Sequence, residues 1–250
     1  MEDRQIMNSV IGFSQRVKLD WLERTAHHAL MGASRAVIQA DLQDYLRDRL
    51  SVDGSAERGN REKTISILLK TWVTVPIALQ PLRDEALDHL RRLPTRERLP
   101  LHWGMSMAVY PFFGSVAETA GRLLGLQGSV GAAHVQRRVA EALGERDTVH
   151  RATRRVLRSF IDWGVLDQTD AKGVYGPTPT RPVGDPALAA WLVEAALHAG
   201  SPPSAPLRSL MSSPALFPFA LEPVSPRLLA HNPRLEIYRQ GLDEDMVALR

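Results

Sequence analysis

The fold turns on the stretch Asp147-Thr148-Val149-His150-Arg151-Ala152-Thr153-Arg154-Arg155-Val156-Leu157-Arg158-Ser159-Phe160-Ile161-Asp162-Trp163-Gly164. Projected at 100° per residue from Thr148, the side chains of Val149, Ala152, Val156, Phe160 and Trp163 fall between roughly 40° and 120°, with Leu157 near 180°. Arg151, Arg154, Arg155, Arg158 and Asp162 fall between roughly 240° and 340°. One face is apolar and the opposite face carries four arginines. Asp147 is placed to cap this helix, predicted over residues 148–163, and Gly164 to end it. Asp162 lies on the solvent side near the C-terminus, where a negative charge is mildly unfavourable.

The neighbouring elements extend the pattern in both directions. Upstream, residues 116–126 and 132–143 suit two further helices, the second stopped by Gly144. Between them Ser129-Val130 suits a short strand, with Ser129 also able to cap the helix that follows. Downstream come an apolar pair, Val165-Leu166, a polar turn over residues 167–173, and a second short strand at Val174-Tyr175. Three helices followed by a two-stranded hairpin predict a winged helix, placed within a domain spanning residues 96–178.

The first half of the chain predicts helix after helix, an N-terminal helical, helix-turn-helix-like domain over residues 1–95. Leu19, Leu22, Ala26 and Ala29 form one apolar stripe, ended by Gly32. Ser34 caps the next helix, whose Val37, Ile38, Tyr45 and Leu46 suit one face. A polar loop over residues 51–60 leads to a helix at 61–73, with Ile65, Leu68, Leu69 and Trp72 inward and Pro76 closing it. Pro81 opens a fourth helix that ends before Pro94, and an apolar helix covers residues 99–110 until Pro111 breaks it. After Gly176 the composition shifts, with twelve of the 17 prolines in that part. An irregular C-terminal extension over residues 179–250 is expected there. It holds one helix at 186–198, a linker at 200–206, possible strands at 217–221 and 235–238, and a short helix near 226–230. The fold class is mainly α.

Charge points to a partner. The chain has 31 Lys and Arg against 28 Asp and Glu. Residues 131–158 hold seven arginines and three acids, and the other 24 basic and 25 acidic residues nearly cancel. A local basic excess is the electrostatic footprint of a nucleic-acid surface. Arginines at Arg151, Arg154, Arg155 and Arg158 can address phosphates or guanine edges from a helix in the major groove. His134, Arg137 and Arg138 on the preceding helix suit the adjacent backbone, and Lys172 marks the tip of the wing. A second basic cluster, Arg58, Arg61, Lys63 and Lys70, begins at the loop before the third helix and suits a strand-tracking contact. Double-stranded DNA is therefore the expected partner. The alternative is a protein-docking winged helix, with the basic face meeting an acidic subunit of a condensin-like assembly.

Other functions lack support. There are no cysteines, so disulfides and thiolate metal sites are excluded and a reducing cytoplasm is the natural compartment. The opening Met1-Glu2-Asp3-Arg4 does not suit a signal peptide. The uncharged residues 100–117 contain His102, Gly104, Pro111 and Gly114, which argue for a buried or broken helix instead of a membrane span. The eight histidines are scattered without metal-ligand spacing. Residues 121–128 carry glycines but lack the Lys-Ser or Lys-Thr of a phosphate loop. Gly104-Met105-Ser106-Met107-Ala108 loosely matches a nucleophile elbow, yet lies inside an apolar helical run. Asp243-Glu244-Asp245 suits a solvated terminus. The expectation is a non-enzymatic protein with no cofactor and no metal.

Two segments also carry a family resemblance: Asn60-Arg61-Glu62-Lys63-Thr64 in the helical first half, and the basic helix before an apolar strand over residues 151–166. In this layout the chain resembles the BrxA family, small helical DNA-binding proteins of bacterial BREX phage-defence systems. The likeness covers about the first two-thirds of the sequence. The tail with Arg234-Leu235-Glu236-Ile237-Tyr238-Arg239-Gln240-Gly241-Leu242-Asp243 departs from the family. The resemblance implies a non-catalytic DNA-binding component working beside other subunits of a defence complex; transcriptional control is the other setting considered.

Overall fold

A stripe of apolar side chains on each of four N-terminal helices builds the first part of the core in the computed structural model, which describes residues 11–50, 59–200, 203–241 and 244–250. Met1-Glu2-Asp3-Arg4, Arg58, most of the polar loop at residues 51–60, and Asp243 lie outside the described residues. The molecule is mainly helical, with short strands in small sheets. Helix α1 (Leu19–Leu30) buries Trp21, Leu22, Thr25 and Ala26, and Gly32 follows it with φ of 71°. Leu22 and Ala26 of the expected stripe are fully buried, Leu19 and Ala29 are half-buried, and Trp21 and Thr25 join the inward side. Helix α2 (Arg35–Tyr45) starts at Ser34, whose hydroxyl accepts from the Val37 N–H. Its Val37, expected inside, is 56% exposed, while Ile38 and Leu42 are fully buried. Helices α3 (Asn60–Trp72) and α4 (Gln80–Arg92) complete this layer, α4 with Pro81 in its first turn.

Helix α5 (Leu99–Val109) has no charged residue, and all eleven of its residues are buried. It ends at Tyr110, and α6 (Pro111–Gln127) begins at once. The expected start at residue 116 is too late: Pro111 breaks α5 but also opens α6, since the first turn of a helix needs no N–H from its first residue. Gly104 lets the Trp191 ring lie against α5, where an added Cβ would approach it to 2.5 Å. The elbow-like run around Ser106 is therefore packed core. Gly121 of α6 accepts the backbone of Pro214 at a distance no side chain would permit, and Gly128 ends α6 with φ of 69°. The glycines of residues 121–128 shape packing and a helix end.

After α6 come β1 (Val130–Gly131), α7 (Ala132–Leu143), α8 (Asp147–Asp162), β2 (Leu166–Gln168) and β3 (Val174–Pro177). β3 is the middle strand of an antiparallel sheet in the order β1-β3-β2. Its register puts Val130 opposite Tyr175, and Asp167 opposite Gly176. The β2–β3 hairpin is thereby pinned to the start of α7, and the Ala132 N–H donates to the Gly173 carbonyl.

The C-terminal region holds the expected helices and strands near residues 186–198, 217–221, 226–230 and 235–238, but pairs its strands into sheets where an irregular extension was expected. β4 (Arg181–Val183) pairs in parallel with β6 (Phe219–Leu221) on either side of α9 (Pro186–Ala199), a helix capped by Asp185. β5 (Ser204–Pro206), α10 (Leu207–Met211), α11 (Pro226–Leu229), β7 (Leu235–Gln240) and β8 (Glu244–Leu249) follow, and three of them form an antiparallel sheet ordered β5-β8-β7. Residues 204–206, expected as linker, pair with β8 from the sheet edge. An edge strand has one unpaired side, so proline costs it little. Glu244 and Asp245 likewise belong to a strand whose Val247 is fully buried.

One continuous cluster of buried side chains runs from Phe13 to Val247. At its middle the Trp103 ring touches Phe113, Phe160, Trp163, Phe217 and Phe219 with centroids 4.8 to 5.9 Å apart. Its indole N–H donates to the Ala215 carbonyl at 2.9 Å. Helices α5, α6 and α8 and the C-terminal region thus meet at one tryptophan. Among the described residues no single helix is long and apolar enough to cross a membrane.

Candidate nucleic-acid interface

Helix α8 is held by its apolar face: Val149, Ala152, Val156, Leu157 and Phe160 are all buried, as the projection requires. That leaves the arginine side outward, and the structure sorts its members. Arg154 and Arg158 are exposed and make no ion pair with any described residue. They line a cleft of about 580 Å³ between α8 and the β2–β3 hairpin, together with Lys172 and Arg16. The opposite wall includes Thr169, Ala171, Gly173 and Tyr175, and among the described residues no carboxylate lines the cleft. Lys172 reaches it because the turn is fixed. The Thr169 hydroxyl donates to the Val174 carbonyl at 2.9 Å, and Gly173 has φ of 78°, a conformation that suits a residue without Cβ.

Arg155 stands apart from its neighbours. It is half-buried and donates to the Ser14 carbonyl at 2.7 Å. Burial pushes its pKa down, and the nearby charges of Arg151 and Arg154 push in the same direction. Of the four arginines expected on the outward face, Arg155 is thus the one that is not fully exposed. The cause is a segment that helical projection cannot see. Residues 11–18 run extended across α8, with the Val17 N–H donating to Ser159 Oγ at 2.9 Å and the Trp163 indole donating to the Val17 carbonyl at 2.9 Å. The same segment brings Arg16 to Asp162, two guanidinium N–H groups meeting two carboxylate oxygens at 2.5 Å each. Asp162 is thus a partly buried anchor, and its expected role as a mildly unfavourable surface charge does not hold.

At the other end Asp147 is not a cap. It is the first residue of α8, Arg146 holds the cap position, and no side chain caps the helix. Asp147 instead faces Arg151 one turn on, at 3.2 Å. Arg137 and Arg138 of α7 are exposed and share Glu141 at 3.8 and 3.6 Å. Exposed pairs of this kind are worth about 0–1 kcal/mol, too little to withhold either arginine from a phosphate.

The second basic cluster divides. Lys63 lines a further cleft, about 500 Å³, with Arg146, Arg151 and Arg155, so it lies beside the first turns of α8. Arg61 is half-buried and outside that lining, and the Lys70 ammonium sits 5.3 Å over the Tyr110 ring. Arg16 and the strap that carries it are not among the residues expected from the sequence. A signal was present: Phe13, Gln15 and Val17 are buried, and Arg16 and Lys18 are exposed, the alternation of an extended segment.

Chemically the surface offers guanidinium and ammonium groups to an anion. Among the described residues no three His, Asp or Glu side chains converge as a metal-binding group. His102 is buried with Nε2 at 2.8 Å from Glu23 and its pKa pushed down by burial, so it belongs to the core. No protein-family model, no curated protein and no solved structure matches this chain.

Proposed function

We propose that residues 111–177 form a winged helix that binds double-stranded DNA without catalysing a reaction on it. The observation that carries this reading is the cleft in which Arg154, Arg158 and Lys172 converge from a helix and a hairpin, with no carboxylate in its walls among the described residues. Helix order and sheet order support it: helix, strand, helix, helix, then a hairpin whose second strand pairs with β1. In this reading α8 enters the major groove, Arg137 and Arg138 meet the adjacent backbone, and Lys172 at the wing tip meets the flanking phosphates. Affinity comes mainly from phosphate contacts, so sequence preference is low.

Fluorescence anisotropy with labelled duplexes tests this. The logarithm of affinity is expected to fall against the logarithm of salt with a slope of about −4 to −8. Combined Arg154→Glu and Arg158→Glu is expected to abolish binding. Absence of binding to any duplex at about 50 mM salt, where phosphate contacts are strong, overturns the reading and leaves a protein-docking module with an acidic partner. The resemblance of the sequence layout to BrxA-type proteins favours a place beside other subunits of a bacterial defence or regulatory system. Loss of phage protection on deleting the gene from a resistant host tests that setting.

A further inference from the structure

The charged side of α8 has two edges, and each faces a different part of the molecule. Arg154 and Arg158 look toward the hairpin, while Arg151 and Arg155 look toward α3. The second cleft lies on that α3 side, and Lys63 and Asn60 from the first turn of α3 complete its walls. Among the described residues no Asp or Glu lines it. We propose that this cleft is a phosphate-binding subsite for the DNA strand opposite the one met by the hairpin. The inference rests on the DNA-binding reading above.

Three observations support it. First, Arg155 is half-buried, bonded to one backbone carbonyl, and has no carboxylate beside it among the described residues. A guanidinium has five donors, so most of its capacity is left for an incoming anion. Burial first, and the charges of Arg151 and Arg154 next, push its pKa down. Second, the first turns of both α3 and α8 border the cleft, and neither helix has a side-chain cap. Uncapped first turns leave backbone N–H groups and a partial positive charge for an anion. Third, the scale is right. An α-helix with side chains is about 10–12 Å across and the major groove about 12 Å wide, so surfaces flanking a docked helix meet the two backbones that border the groove. With the hairpin on one side of α8 and α3 on the other, each backbone has a cationic neighbour.

The experiment compares two variants of the full chain. Lys63→Glu and Asn60→Asp change polar side chains at the helix start and leave the core untouched; their melting temperatures serve as the control. With random-sequence duplexes, Lys63→Glu is expected to weaken binding about tenfold on every sequence and to flatten the salt slope by about one unit. Asn60→Asp is expected to weaken it less, in the same direction. If both variants bind as the parent does while Arg154→Glu with Arg158→Glu does not bind, the subsite is wrong and the groove reading stands. If Lys63→Glu is weak and the arginine pair variant binds normally, the cleft carries binding and the groove reading falls. If none of the variants changes binding, both fall.

Discussion

Arg154 and Arg234 are the same residue type in opposite electrostatic settings. Arg234 donates to both oxygens of Glu194, at 2.6 and 2.7 Å, and also to Glu85. Glu194 is fully buried and receives a further N–H from Asn232 at 2.6 Å. Every charge there has a partner inside the chain, and the cluster ties the C-terminal region to α9 and α4. Arg154 and Arg158 are exposed, unpaired among the described residues, and share a concave surface with Lys172. A guanidinium that is saturated by internal carboxylates supports the fold, whereas one left without them can answer to an external anion. Sequence composition counts both kinds alike.

The largest expected effect sharpens the internal half of the comparison. Arg234→Ala leaves the Glu194 carboxylate buried without its main partner, and such a break costs about 3–5 kcal/mol. Chemical denaturation should show the loss, while DNA affinity per folded molecule stays unchanged. The pH dependence follows from the same pair. Burial pushes the Glu194 carboxyl up, but hydrogen bonds from Arg234, His198 and Asn232 and the charge of Arg234 outweigh it and hold the pKa at about 2. An unfolded glutamate titrates near 4.3, so this stabilisation is complete above about pH 4.3 and is lost as pH falls from there through the folded value. In Arg234→Ala the carboxyl rises toward the value burial alone would give, so the loss of stability on acidification due to Glu194 should shrink, and reverse in sign where the folded pKa exceeds the unfolded one. An unchanged curve would remove the cluster from any anchoring role.

The next effect concerns the external half. Replacing Arg154 and Arg158 together by Glu should abolish duplex binding and change stability by less than about 0.5 kcal/mol each, since neither side chain is part of a buried network. A large fall in melting temperature would show that the two arginines belong with Arg234 after all, and the contrast would collapse.

The smallest effect separates two aspartates on one helix. Asp162→Ala removes a partly buried, doubly hydrogen-bonded partner of Arg16 and frees the strap from α8, with an expected cost of about 1 kcal/mol or more. Asp147→Ala removes only an exposed pair one turn long, worth about 0.3–0.5 kcal/mol. Thermal unfolding of the two variants should therefore rank Asp162 above Asp147. Equal melting temperatures would mean that residues 11–18 contribute little to holding α8.

Local pattern was enough to place most helices and to choose the inward face of α8. Apolar spacing repeats every few residues there, so Val149, Val156 and Phe160 identify their own side of the helix without help from the rest of the chain. The exposed arginines follow as the remainder. Ser34 as a cap, Pro81 in a first turn and Gly32 beyond a helix end are likewise written in single residues with local consequences.

What tertiary structure alone decided is which charges were spent internally. Arg155 and Arg158 are indistinguishable in sequence, yet residues 11–18 lie over one and not the other. Asp147 and Asp162 exchanged their expected importance for the same reason. Lys63 came to stand beside Arg151 and Arg155 through the packing of α3, and the prolines of the tail hid an edge strand whose partner lies some forty residues later. Each of these depends on contacts between distant segments. Periodicity reports the environment a helix needs on its apolar side, and it carries no information about which remote segment arrives to pair with a given charge.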